Sequence, residues 1–149
     1  VKSTMAYAAK RALRDALTAL AAPAGALDGW QVAYSYPARD ITRKVIYFGG
    51  TRGVTSDLAA ELGTAVSEAV TVGVYARVIR PDADADVEAA EADLEAVADT
   101  IATAMAVNPD MAGGMTWMGI QSTTGDYANS PDGPEAVLSL QVLVGAVLV

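Results

Sequence analysis

The chain contains no histidine and no cysteine in 149 residues. Without cysteine there is neither a disulfide nor a thiolate metal site. Without histidine the commonest general base and the commonest transition-metal ligand are both missing. Serine and cysteine nucleophiles that depend on a histidine partner are thereby excluded. Long apolar runs are scarce too. The apolar C-terminal stretch AVLSLQVLVGAVLV is too short to span a bilayer and is interrupted by Ser139, Gln141 and Gly145. The Ala-rich, basic N-terminal stretch lacks the apolar core of a secretion signal. A soluble protein made in a cytoplasm, with no membrane partner, is the expectation.

One further absence is local. Residues 82 to 99 hold Asp82, Asp84, Asp86, Glu88, Glu91, Asp93, Glu95 and Asp99, and no basic residue. The formal net charge is -8, from 18 acids and 10 bases, so those eight acids account for all of it and the remainder is neutral. The first 52 residues carry eight bases against Asp15, Asp28 and Asp40. This makes a polarised molecule, with a basic N-terminal third and one acidic element. At 52% hydrophobic and 19% charged residues, the composition is that of an ordered domain. The length suits a single domain over residues 1–149.

Periodicity organises the rest. From Ser3 to Ala21, Met5, Ala9, Leu13, Ala16, Leu17 and Leu20 share one side of a helix, and Lys10, Arg11, Arg14 and Thr18 share the other. WQVAYSY (30–36) alternates and stops at Pro37. RKVIYFGG (43–50) is β-branched and aromatic, and the two read as neighbouring antiparallel strands. Gly49, Gly50 and Gly53 signal a turn after the second strand. Residues 54 to 64 are ambiguous, with a short helix as one reading. From Val66 to Arg80, Val70, Val72, Val74, Ala76 and Val78 alternate with Thr71, Gly73, Tyr75 and Arg77, as in a strand with one buried face. A helix follows, to about Val107. MTWMGIQST (115–123) then predicts a strand, residues 125 to 134 a polar loop, and Leu138 to Leu148 a final alternating strand. The order α-β-β-loop-β-α-β-β predicts an α+β domain. It has one mainly antiparallel or mixed sheet of about five strands, with two helices packed on one face.

The acidic run admits three chemical readings. Asp82, Asp84 and Asp86 match the opening of a calcium loop, but Val87 stands where the turn needs glycine and Asp93 where it needs a bidentate glutamate. A catalytic acid pair needs two carboxylates in different environments, and these crowd one face. The third reading accounts for more. Val87, Leu94, Val97, Ala98, Ile101 and Met105 form an apolar stripe, while Glu88, Glu95 and Asp99 lie opposite, with Glu91 near the boundary. The run is then an amphipathic helix, its first aspartates serving the helix start. GGTRG (49–53) lacks the Lys-Ser/Thr ending of a phosphate loop and reads as a turn. No base, nucleophile and oxyanion donor can be assembled, so no enzyme and no cofactor is expected.

Taken together, the segments AAKRALRDALTALAA, WQVAYSYP, VIYFGG, SEAVTVGVYARVIRP, DADVEAAEADLEAVADTIATAMAVNPDM, MTWMGIQ and GPEA, with the apolar last strand, cover most of the chain. In this order they resemble the tail terminator (tail completion) proteins of long-tailed bacteriophages; residues 54 to 64 depart from the pattern. The resemblance implies a structural virion protein of the neck region. Copies would form a hexameric ring on the last ring of the tail tube, end its polymerisation and meet the head-side stopper or connector. Double-stranded DNA would pass the lumen without sequence preference. Arg39, Arg43, Arg52, Glu88, Glu95 and Asp99 are then candidate subunit-interface or channel charges. Trp30, Trp117 and Tyr127 are candidate interface aromatics. The alternatives are another neck component, such as a head–tail stopper or connector, and a cellular α+β ligand-binding module.

Overall fold

Two long alternating segments make the centre of the molecule. In the computed structural model, which describes residues 3–55, 66–82, 86–107, 110–111 and 115–148, these are β3 (Val66–Ile79) and β6 (Gly133–Leu148). They pair antiparallel, with Val72 opposite Val142 and Val74 opposite Leu140. Because side chains alternate, Val70, Val72, Val74, Ala76 and Val78 share a face with Leu140, Val142, Val144 and Ala146. All nine are buried, and each Val or Leu removed from water contributes about 1.5–3 kcal/mol before the entropy of ordering is counted.

The sheet has six strands in the order β1-β2-β3-β6-β5-β4. β1 is Gln31–Ala33, β2 Lys44–Thr55, β4 Asp110–Met111 and β5 Met115–Ser130. The sheet is mixed, as expected, but three local expectations are corrected. β1 is short and runs parallel to β2, with Val32 opposite Ile46, where an antiparallel pair was expected. The connecting residues 34–43 cross back over the sheet edge, and the Gln31 side-chain oxygen accepts the Thr42 N–H at 3.0 Å to hold them there.

GGTRG is strand and not a turn: β2 continues through a bulge between Phe48 and Thr51 as far as Thr55. Gly53 lies where the Glu68 carboxylate crosses the sheet, and a Cβ there would collide with that carboxylate. Residues 125 to 130 belong to β5, and only Pro131 and Asp132 turn the chain into β6. Gly133 takes a left-handed φ of +123°, and a side chain there would meet the Arg80 carbonyl. The ambiguous segment falls almost wholly on residues 56–65, outside the described residues.

Both described helices pack on the apolar face. α1 (Ala6–Leu20) buries Ala6, Ala9, Leu13 and Leu17 against β1, β2 and β3. α2 (Val87–Val107) buries Ala90, Leu94, Val97, Ile101 and Met105 against β3, β5 and β6. Asp86 caps α2, its Oδ1 accepting the Ala89 N–H at 3.0 Å. The start of α1 has no side-chain cap of its own; instead Glu68 of β3 accepts the Met5 N–H at 2.7 Å and the Thr4 hydroxyl at 2.8 Å. No helix among the described residues is long and apolar enough to cross a membrane.

Candidate functional site

The strand order separates the charges that the sequence polarises. α1, β1 and β2 occupy one flank of the sheet, and α2, β5 and β4 the other. On the first flank the Lys10 ammonium lies 4.1 Å from the centroid of the Tyr34 ring, and the Arg14 guanidinium 5.5 Å from it. Lys44 stands 5.9 Å from the Trp30 ring. Arg39, Arg43 and Arg52 are exposed on this side, in the β1–β2 link and on β2. Trp30 is half-buried and packs on the core.

The opposite flank is acidic. Glu88, Glu91, Glu95 and Asp99 are exposed along α2, and none forms an ion pair among the described residues. The helix is amphipathic in the expected sense. The acidic segment has a counterion just outside its own bounds. Arg80, just ahead of it, donates to Asp93 at 2.7 and 2.9 Å and to Asp82 at 3.1 Å. Hydrogen bonding to Asp93, then to Asp82, raises the affinity of the Arg80 guanidinium for its proton. Asp93 lies on the side of α2 turned toward the sheet, so the pair ties the helix start to the end of β3 and leaves the outer stripe uncompensated.

Beside that stripe runs a groove of about 550 Å³ between α2 and the β5–β6 hairpin. Leu94, Ala98 and Leu138 form its apolar floor, with Glu91, Glu95 and Asp126 at its rim. Tyr127 lines it too and is 62% exposed. Trp117 pairs with Val144 through its backbone, and its side chain lies outside the described residues. The structure thus places Glu88, Glu95, Asp99 and Tyr127 on one flank and Arg39, Arg43, Arg52 and Trp30 on the other. It does not bring the two sets together within one chain.

A third feature was missed in the sequence. On the helix-free face Tyr47 stacks on Tyr75 with ring centroids 5.2 Å apart, and Tyr36 meets Tyr47 edge-on at 5.1 Å. Beside them Arg77 donates to Glu135 at 2.7 Å, a half-buried pair across β3 and β6. Burial, then the neighbouring Tyr36 and Tyr75 phenols, pushes the Tyr47 hydroxyl above its ordinary value of 10.0. The available signal was the placement of Tyr47, Tyr75 and Arg77 at positions alternating with buried ones. Only the register could bring them together.

On this face Arg77 and Glu135 form an ion pair, and Arg52 and Asp126 have none among the described residues. Among the described residues no group of three or more acidic side chains could hold a metal ion. Asp84, the middle residue of the calcium-like spacing, lies outside them. What the surface offers is shape and charge on two flanks, which suits binding to macromolecules.

No family model matches the sequence, and no curated protein matches it. In fold, the chain is similar to a solved chain described as "Virion of native gene transfer agent (GTA) particle", with a TM-score of 0.59 at 13% sequence identity, covering 98% of each chain.

Proposed function

We propose that this chain is a structural virion protein of a tailed phage or phage-like particle, without catalytic activity. Within that class we assign it the role of tail terminator. Copies form a ring, taken as a hexamer, that caps the head-proximal end of the tail tube and ends its polymerisation. The ring meets the head-side stopper or connector, and DNA passes its lumen. The observation that carries the reading is the end-to-end fold likeness to a chain of a gene transfer agent virion. The element order read from the sequence narrows it to the terminator. The flanks support it, because a ring needs two different, mutually complementary surfaces on each subunit.

Mass photometry of the purified protein, joined to immunogold labelling of particles, tests the proposal. The expected result is a ring of defined mass and a label where tail meets head. A label on the head side of the neck in particles whose tails have normal length would assign the chain to a stopper. A protein that stays monomeric at every concentration and is absent from particles would remove the reading altogether.

A further inference from the structure

We infer that neighbouring copies join head to tail through the free stretches of β2 and β5, so that the sheet of one subunit continues into the next. The inference deepens the ring proposed above and rests on it for closure. Its partner is a second copy of this chain.

The second strand from each end of the sheet, β2 and β5, is mostly uncovered on its outer side among the described residues. β1 covers β2 only from Val45 to Tyr47, which leaves residues 48–55 without an outer neighbour. β4 covers β5 only at Met115 and Thr116, which leaves residues 117–130 likewise. Each stretch presents a row of backbone donors and acceptors, and such edges are ordinarily guarded by lysine or proline. Residues 117–130 contain no lysine, arginine or proline, and residues 48–55 contain only Arg52. The bulges at Phe48/Thr51, Trp117/Gly119 and Ile120/Ser122 bend the two strands. Bulges of this kind are the means by which sheets are curved toward closure.

The two free stretches also overlap along the strand direction. Phe48 is opposite Val74, Val74 opposite Leu140, and Leu140 opposite Thr123. The next rows on the same face run Thr51–Val72–Val142–Ile120 and Gly53–Val70–Val144–Trp117. β1 already occupies the outer side of β2 at Val45–Tyr47, so the β5 of a neighbouring copy meets β2 staggered along the strand, with its residues 122–125 beside residues 51–54; tilted strands and such a stagger are what a closing sheet requires. The directions agree as well. Three antiparallel steps separate β2 from β5, so the two strands run oppositely and meet as an antiparallel pair. The contact joins different surfaces, so it builds a ring and not a two-fold dimer.

Charge supports the same pairing. Arg52, opposite Thr71 on the free stretch of β2, and Asp126, opposite Val137 on that of β5, point to the same helix-free face. The join sets the flank of Glu91, Glu95 and Asp126 beside the neighbour's flank of Lys10, Arg43 and Arg52. None of these charges forms an ion pair among the described residues.

Disulfide trapping tests the join, helped by the absence of native cysteine. Thr51→Cys is combined with Thr123→Cys or Gly125→Cys on the helix face, and Val54→Cys with Ser122→Cys or Thr124→Cys on the other. Circular dichroism confirms folding of each variant. Oxidation is expected to give a ladder on a non-reducing gel, from dimer up to the full ring, that collapses with a thiol reductant, in at least one double variant, while each single variant stays monomeric. Rings seen by mass photometry with no ladder in any of the four pairings would overturn the join and leave the ring standing. Covalent dimers from a single β5 cysteine would show β5 pairing with itself and overturn it too. Absence of any oligomer would remove the ring along with the join.

Discussion

The Glu68 carboxylate accepts the Met5 backbone N–H at 2.7 Å, joining the start of β3 to the start of α1 across 63 positions of sequence. The other carboxylate oxygen takes the Thr4 hydroxyl, and the Thr4 oxygen in turn accepts the Ala6 N–H at 3.0 Å. A strand residue therefore does for α1 what a capping side chain does elsewhere, with its negative charge at the positive end of the helix dipole. Glu68 is only 4% exposed, and every oxygen it buries has a partner.

Glu68→Ala should accordingly destabilise the fold by about 1–3 kcal/mol, the cost of leaving buried donors unsatisfied. Urea unfolding followed by circular dichroism measures it. Gly53→Ala should also destabilise, because its methyl group enters the space of the same carboxylate. The two effects should not add. With Glu68 already removed, the carboxylate no longer opposes the added methyl, so the double variant should lie well short of the sum of the single losses. Additive losses would show that Gly53 is required for some other reason.

The helix-free face makes a prediction in pH. The Tyr47 hydroxyl is raised above 10.0, by burial first and by its tyrosine neighbours second. The folded state thus holds this proton more tightly than the unfolded chain does. The stabilisation is complete below the unfolded value and is lost as pH rises through the folded one. Wild-type stability should fall more steeply above about pH 10 than that of Tyr47→Phe. Urea midpoints between pH 8 and 11 would read the difference, and absorbance at 295 nm would follow the phenol directly. Parallel curves would place Tyr47 in ordinary solvent.

How much of this was legible in the sequence depended on periodicity. β3, β6, α1 and α2 each present a buried stripe of aliphatic residues at a constant spacing, and all four lie where the pattern puts them. β1 has three residues, too few to state a direction, and a parallel crossover usually needs a dozen or more residues where this link has ten (34–43). The outer half of β5 is exposed on both faces, so no alternation marks it, and its Gly, Asp and Asn are poor strand formers. Backbone pairing with β6 makes it a strand all the same. The separation of charge into two flanks was half visible: the basic third and the acidic helix are sequence blocks, but only the strand order puts them at opposite ends. Arg80 precedes the acidic window, and its pairing with Asp93 depends on how the end of β3 meets α2.

That ion pair should matter for folding more than for assembly. The Asp93 side chain is 19% exposed and accepts two hydrogen bonds from Arg80. Arg80→Ala should cost about 1–2 kcal/mol, since a half-buried charged acceptor loses its donors. The loss should grow at low salt, because the remaining carboxylates of α2 then repel one another without the guanidinium between helix and strand. Denaturation at two ionic strengths would show both effects. An equal loss at both would attribute the destabilisation to packing of the arginine stem.

The flanks can be tested against each other in trans. Glu88→Lys, Glu95→Lys and Asp99→Lys together make the outer stripe of α2 basic; Arg39→Glu, Arg43→Glu and Arg52→Glu together make the β1–β2 link and the free edge of β2 acidic. All six positions are exposed, so each triple variant should fold with a stability change of no more than about 1 kcal/mol. Alone, each should fail to form rings at concentrations where the wild type assembles, because like charges then meet at every contact. Mixed in equal amounts, the two variants oppose unlike charges again, and assembly should return with the variants alternating around a ring of even number. Native mass spectrometry distinguishes the two masses and reads the alternation. Should the first variant assemble unaided at low salt, the acidic stripe of α2 would be serving solubility, and the contact between subunits would rest on the strand edges alone.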